Sequence, residues 1–185
     1  MSKIGRKPID LAGAKVTIKN NTVEYQGKVK SGTHILPEQL KAYVEADKLF
    51  IQKNDSGKHE LSDREVNTLW GLHRALISNE IKGSQAPFER KLEINGLGFK
   101  AALAGQKITL TLGYTHKIDF ELPQDVTLEI DKTGQKLTFK SSDKELVGFV
   151  TSQIRSFRPP EPYKGTGIKF ADETITRKAG KTKSS

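Results

Sequence analysis

Residues 142–157 read SDKELVGFVTSQIRSF, and a closely parallel stretch, SDREVNTLWGLHRALI, occupies residues 62–77, eighty positions earlier. Each opens with a serine followed three residues later by a glutamate, Ser62 with Glu65 and Ser142 with Glu145. This is a capping box, in which two side chains satisfy the amide groups left open at a helix start. Apolar residues follow at helical spacing: Val66, Leu69, Trp70, Leu76 and Ile77 in the first stretch, with His73 on the same face. Leu146, Phe149, Val150, Ile154 and Phe157 do the same in the second. Gly83 is expected to stop the first helix.

Ahead of each helix the sequence alternates apolar and polar residues in short runs, the pattern of half-buried strands. The runs of the first half are 15–20, 22–25, 34–36, 42–45 and 48–53, and a turn at Asn20-Asn21 makes the first pair a hairpin. Those of the second half are 88–95, 99–104, 107–112, 117–122, 126–130 and 136–140. Leu36-Pro37 recurs as Leu122-Pro123, and Lys48-Leu49 as Lys136-Leu137, at offsets slightly above eighty. The extra loop around Gly57–Leu61 absorbs the difference. The order of elements therefore predicts an α+β protein of two duplicated domains, each an antiparallel β-sheet with one helix packed on a face. We expect an N-terminal domain over 1–82 with a short basic arm, a second over 83–170 ending in a basic loop, and a basic tail over 171–185. The joint falls near Gly83–Pro87, where GSQAP follows the helix.

Composition narrows the function. The 185 residues carry a formal charge of +9 and only 35% hydrophobic residues, with a mean hydropathy of −0.55. Two domains with thin cores and a polyanionic partner fit these values. Lys and Arg outnumber Asp and Glu by 14 to 10 over residues 1–82, balance them at 9 each over 83–154, and exceed them by 8 to 3 over 155–185. The positive charge of the second half is thus concentrated at its end. With no cysteine, disulfides and thiolate metal sites are excluded. The opening MSKIGRKPID has no apolar run behind its basic residues, and no stretch reaches membrane-spanning length. A soluble protein of the cytoplasm, or of an organelle matrix if the chain is a mature form, is expected, with no membrane partner.

Catalytic and cofactor motifs fail on context. Gly96, Gly98 and Ala101 match the dinucleotide fingerprint, with Asp119 downstream. That fingerprint needs a helix after the glycines, whereas a new strand begins at Lys107. Gly180-Lys181-Thr182 resembles the end of a phosphate-binding loop, but Ile175 stands where its first glycine belongs. The four histidines lack metal-ligand spacing, and no serine lies in a nucleophile elbow. Neither catalytic residue, cofactor nor metal is expected.

Residues 156–170, SFRPPEPYKGTGIKF, carry the strongest signal for binding. Pro159, Pro160 and Pro162 end the helix and hold the chain extended, which reduces the entropy lost on docking. Tyr163 offers a ring and a hydroxyl, and Lys164 and Lys169 offer ammonium groups to phosphates. Gly165 and Gly167 permit close backbone approach. A basic loop of this kind suits recognition of folded RNA by backbone and shape.

PPEPYKGTGIKF with the following ADETITRKAGK closely resembles the C-terminal signature of the family of ribosomal large-subunit protein six, of the bacterial type. LEINGLGFKA, LTLGYTHKIDFELP, DKELVGFVTSQIRSFR and the opening SKIGRKPI fall in the order and spacing of that family, so the resemblance spans essentially the whole chain. It implies a duplicated α+β fold and a structural constituent of the large subunit that binds large-subunit (23S-type) rRNA, chiefly through the second domain and tail. It further implies a position near the sarcin–ricin loop, the stalk base and the elongation-factor site, beside neighbouring large-subunit proteins. Carried onto this sequence, the RNA-facing loop is Pro160, Glu161, Tyr163, Lys164, Gly165 and Gly167, where acidic Glu161 orients a neighbouring cation. Electrostatics adds Arg155, Arg158, Lys169, Arg177, Lys178, Lys181 and Lys183, with Lys3, Arg6 and Lys7 at the other end. The chain departs from the family at Thr166, where a lysine is usual, at Lys117, where a proline is frequent, and over Gln26–Gly32. The competing readings are a nucleotide-dependent enzyme, for which no acid, base or nucleophile was found, and a nucleic-acid-binding module that acts outside the ribosome.

Overall fold

The computed structural model describes residues 3–54 and 61–180. The chain divides into two compact units, residues 1–87 with 142–144, and residues 88–141 with 145–185.

In the first unit, β1 (Ile9–Asp10), β6 (Lys48–Lys53) and β5 (Leu40–Glu45) form an antiparallel sheet in that order. A second antiparallel sheet joins β2 (Lys15–Lys19), β3 (Thr22–Gln26) and β4 (Ser31–Ile35). The second unit repeats this plan. Strand β7 (Phe88–Asn95) pairs with β12 (Lys136–Ser141), which pairs with β11 (Thr127–Ile130), while β8 (Lys100–Ala104), β9 (Lys107–Thr111) and β10 (Ile118–Glu121) form the smaller sheet. The duplication legible in the helix starts is therefore present in strand order and pairing, with two small sheets per unit. Two strands escaped the sequence reading. Strand β1 has only two residues, too few for a period, and β13 (Gly167–Phe170) follows directly on the proline-rich loop. Strand β13 extends the larger sheet beyond β7, with Gly167 opposite Asn95 and Phe170 opposite Leu92.

Helix α1 (Asp63–Gln85) starts at the expected box: Glu65 N donates to Ser62 Oγ, and Ser62 N donates to Glu65 Oε2 at 2.8 Å. Its buried face includes Val66, Trp70, Ile77 and Ile81, and the last three share a core with Val23, Leu40 and Leu49. The indole of Trp70 donates to Ile51 O at 2.8 Å, so its one polar group is satisfied inside the core. The helix runs past Gly83 for a tertiary reason. Val29 N donates to Ser84 O at 2.8 Å, and a Cβ on Gly27 would lie 2.2 Å from that same oxygen. The β3–β4 turn thus covers the last helical turn and stabilises it. His73 is half-buried, and its Nδ1 meets His34 Nε2 at 2.9 Å while His34 Nδ1 meets Glu80 Oε1 at 2.8 Å.

Helix α2 (Lys144–Ser156) begins one residue later than the Ser142 box predicts, with Asp143 directly ahead of it. Its buried stripe is Val147, Val150, Thr151 and Ile154, and Phe149 is 59% exposed. The expected stripe holds at Val150 and Ile154, with half-buried Leu146 and Phe157 packed against the core, and fails at Phe149. The sheet already supplies bulky Phe139 to this core, so the helix contributes compact β-branched residues. Thr151 loses nothing there, because its hydroxyl donates to Val147 O at 2.8 Å. Beyond Asn95, the bend at Gly96–Gly98 opens onto strand β8 and not onto a helix, which removes the dinucleotide reading.

Candidate nucleic-acid interface

The segment between α2 and β13 is a closed loop. Ile168 N donates to Arg158 O at 2.8 Å, Glu161 N to Thr166 O at 3.0 Å, and Gly165 N to Glu161 O at 3.0 Å. Both signature glycines have reasons inside the protein. Gly165 has φ +73°, and the Arg177 guanidinium lies over it, with Nη2 3.2 Å from where a Cβ would stand. Gly167 has φ +137°, and its Cβ would meet Pro159 O at 2.6 Å. Only glycine reaches such φ values without strain. Pro160, half-buried, and exposed Glu161 and Pro162 thus belong to a rigid ring that presents Tyr163, 54% exposed, and Lys164 to solvent.

The tail folds back on this loop. Ala171 N donates to Lys91 O at 3.1 Å, and Lys178 N to Pro162 O at 2.9 Å. Between them Glu173 receives Arg155 Nε at 2.8 Å and Arg155 Nη2 at its other oxygen, and accepts Phe170 N at 3.1 Å. The Arg155 hydrogen bonds hold the Glu173 carboxyl below the usual carboxylate range and raise the arginine. The guanidinium groups of Arg90 and Arg155 lie 4.5 and 5.7 Å from the Phe170 ring centroid.

The nominated cations therefore fall into two groups. Arg155, Arg158 and Lys169 are committed internally. Arg158 donates to Leu112 O at 2.9 Å and sits 5.2 and 4.7 Å from the Phe99 and Tyr114 rings, and Lys169 lies on the outer sheet face, 3.0 Å from Glu93. Lys164 and Lys178 are exposed, and their ammonium groups meet no acidic partner among the described residues. Lys3, Arg6 and Lys7 are exposed in the first unit, where Arg74 clips the arm by donating to Lys7 O and Pro8 O at 3.1 and 2.8 Å. Lys181 and Lys183 lie outside the described residues.

Sequence reasoning missed two loops that share this end of the second unit. The β7–β8 turn and the β9–β10 loop meet at Phe99, whose ring lies 2.6 Å from the Cβ positions of both Gly96 and Gly113. Tyr114 donates its hydroxyl to Phe157 O at 3.0 Å, tying the β9–β10 loop to the end of α2. The only sequence signal was their place in LEINGLGFKA and LTLGYTHK.

Fold and site define a duplicated α+β protein whose second unit bears a rigid cationic loop surface. The chain belongs to the ribosomal protein L6 family, a structural and non-enzymatic family whose sequence model matches residues 95–171. It is 43% identical over 183 residues to the large ribosomal subunit protein uL6 of Desulfatibacillum aliphaticivorans, which covers 98% of this chain and 99% of that protein. The uL6 proteins of Methylacidiphilum infernorum and Campylobacter jejuni strain RM1221 are each 42% identical, over 183 and 186 residues, covering 98% of both chains in each case.

Proposed function

We propose that this chain is a structural constituent of the large subunit of the cytoplasmic ribosome and binds large-subunit rRNA through the 158–166 loop and the tail laid across it. The observation that carries this reading is the division of labour among the cations. Arg155, Arg158 and Lys169 are committed to Glu173, the Leu112 carbonyl and Glu93, and Lys164, Lys178 and Tyr163 stand outward from a surface that needs no further ordering. A pre-formed set of donors loses little entropy on meeting phosphates. Residues 83–170 are then the RNA-binding domain, 171–185 a basic tail that adds charge, and 1–82 a scaffold and outer surface. The family resemblance supports a site near the sarcin–ricin loop and stalk base, beside the elongation-factor site and neighbouring large-subunit proteins.

The test is the affinity for large-subunit rRNA measured across a salt series. Lys164→Ala with Lys178→Ala should weaken binding and reduce the slope of log K against log salt by roughly 1.5, at about 0.7–0.9 per lost phosphate contact. An unchanged slope places the contact elsewhere on the protein. A wild-type chain that neither binds this RNA nor sediments with large subunits in high salt sinks the ribosomal reading itself.

A further inference from the structure

Leu97 is fully exposed, at 102% of its reference surface. Single exposed leucines are ordinary, but this one is displayed by a constructed turn. Its neighbours Gly96 and Gly98 have φ +153° and +74°, and Phe99 N closes the turn onto Gly96 O at 3.3 Å. The buried Phe99 ring fills the space a Cβ on Gly96 would need, so the turn is seated on the core. The turn is therefore rigid, and its tip contributes no burial to the fold.

We propose that this turn is a second RNA contact of a different kind, in which Leu97 packs against the apolar face of a nucleotide in the folded RNA. The proposal rests on the rRNA-binding reading and deepens it. Nucleic acid is the occupant because of what surrounds the turn. The 96–99 turn, the β9–β10 loop and the loop opened by Arg158 converge at Phe99, and they carry exposed Tyr114, Tyr163, Lys117 and Lys164, with exposed Lys100 just after the turn. A purely apolar protein partner would leave these ammonium groups desolvated without phosphates to meet. Aliphatic and aromatic side chains set among cations are the arrangement by which proteins hold a backbone and cover an unstacked base. The charged members of such a site give a salt-dependent term. The apolar member gives a salt-independent one.

That difference supplies the experiment. Full-length wild type, Leu97→Ala and Lys164→Ala are compared for binding to protein-free large-subunit rRNA across a salt series, and for incorporation into reconstituted subunits. Leu97→Ala should weaken binding roughly tenfold at every salt concentration, the scale of withdrawing one aliphatic side chain from an apolar contact. Its salt slope and thermal unfolding should match wild type, whereas Lys164→Ala should flatten the slope. Unchanged RNA affinity of Leu97→Ala overturns the proposal and leaves the rRNA-binding reading standing. If affinity for protein-free RNA is unchanged but incorporation falls, Leu97 meets a neighbouring protein and the RNA assignment is wrong. Failure of the wild type to bind RNA removes both readings together.

Discussion

Replacing Glu173 with alanine should release the tail from the second unit, at a cost that can be worked from its contacts. Glu173 receives two hydrogen bonds from Arg155 and one from Phe170 N. A fully buried hydrogen bond to a charged group is worth about 1.5–3 kcal/mol, and an exposed ion pair about 0.2–1 kcal/mol. Here the two side chains are 30% and 25% exposed, so solvent screens the pair in part, and Arg155 can turn toward water once its partner is gone. The backbone amide of Phe170 cannot move away so readily. Together these give about 2 kcal/mol for Glu173→Ala, on the scale of those per-bond values. For a protein of this length that lowers Tm by roughly 4–8 °C, at about 2–4 °C per kcal/mol. Glu173→Gln, which keeps one acceptor, should cost about half as much. A double-mutant cycle with Arg155→Met, read by urea and thermal unfolding, should return a coupling of about 1–2 kcal/mol. Because the native carboxyl sits below its unfolded value, this stabilisation is present above about pH 4.5 and is lost as pH falls through the native value. A coupling below about 0.3 kcal/mol, within the usual additivity error, refutes the reasoning. Arg155 would then be available to RNA, and Arg155→Met should change the salt slope.

Two further outcomes test the fold around the site and the first core. Gly167→Ala places a methyl against Pro159 O at a φ of +137° and should cost about 2–4 kcal/mol from strain and displaced backbone; a thermal unfolding curve superimposable on wild type refutes it. His73 is disfavoured as a cation by burial and then by His34, so below its unfolded value of 6.5 the unfolded chain takes the proton more readily. Stability should hold above that pH and decline as pH falls through the lowered native value, and His73→Gln should flatten this decline. A wild-type protein that gains stability on acidification refutes this.

Much of the fold was legible because it rests on local signals. The Ser62 box and the helical spacing after it give α1 its start and its buried face. The turn at Asn20-Asn21 gives the first hairpin, where Val23 is opposite Ile18. The repeat of Ser-Asp-x-Glu at an eighty-residue spacing announces the duplication before any strand is placed. Where sequence reading failed, a distant neighbour had decided the matter. Helix α1 outlasts Gly83 because the turn at Gly27–Val29 covers its end. Helix α2 turns Phe149 outward and sets Val147, Val150, Thr151 and Ile154 toward a core that holds Phe139. Strand β13 exists because β7 offers an open edge beside the proline loop.

The site shows the same division. Sequence by itself determined that a rigid basic segment follows the second helix, because proline, glycine and charge act on the residues that carry them. It could not say which cations remain outward, since that depends on where acids and rings from other elements come to lie. Glu173 takes Arg155, Glu93 takes Lys169, and Phe99 with Tyr114 takes Arg158. Only the tertiary structure leaves Lys164 and Lys178 to solvent and seats the turn that carries Leu97 on the same Phe99 that Arg158 covers, because the folding of the chain alone sets distances between residues far apart in sequence.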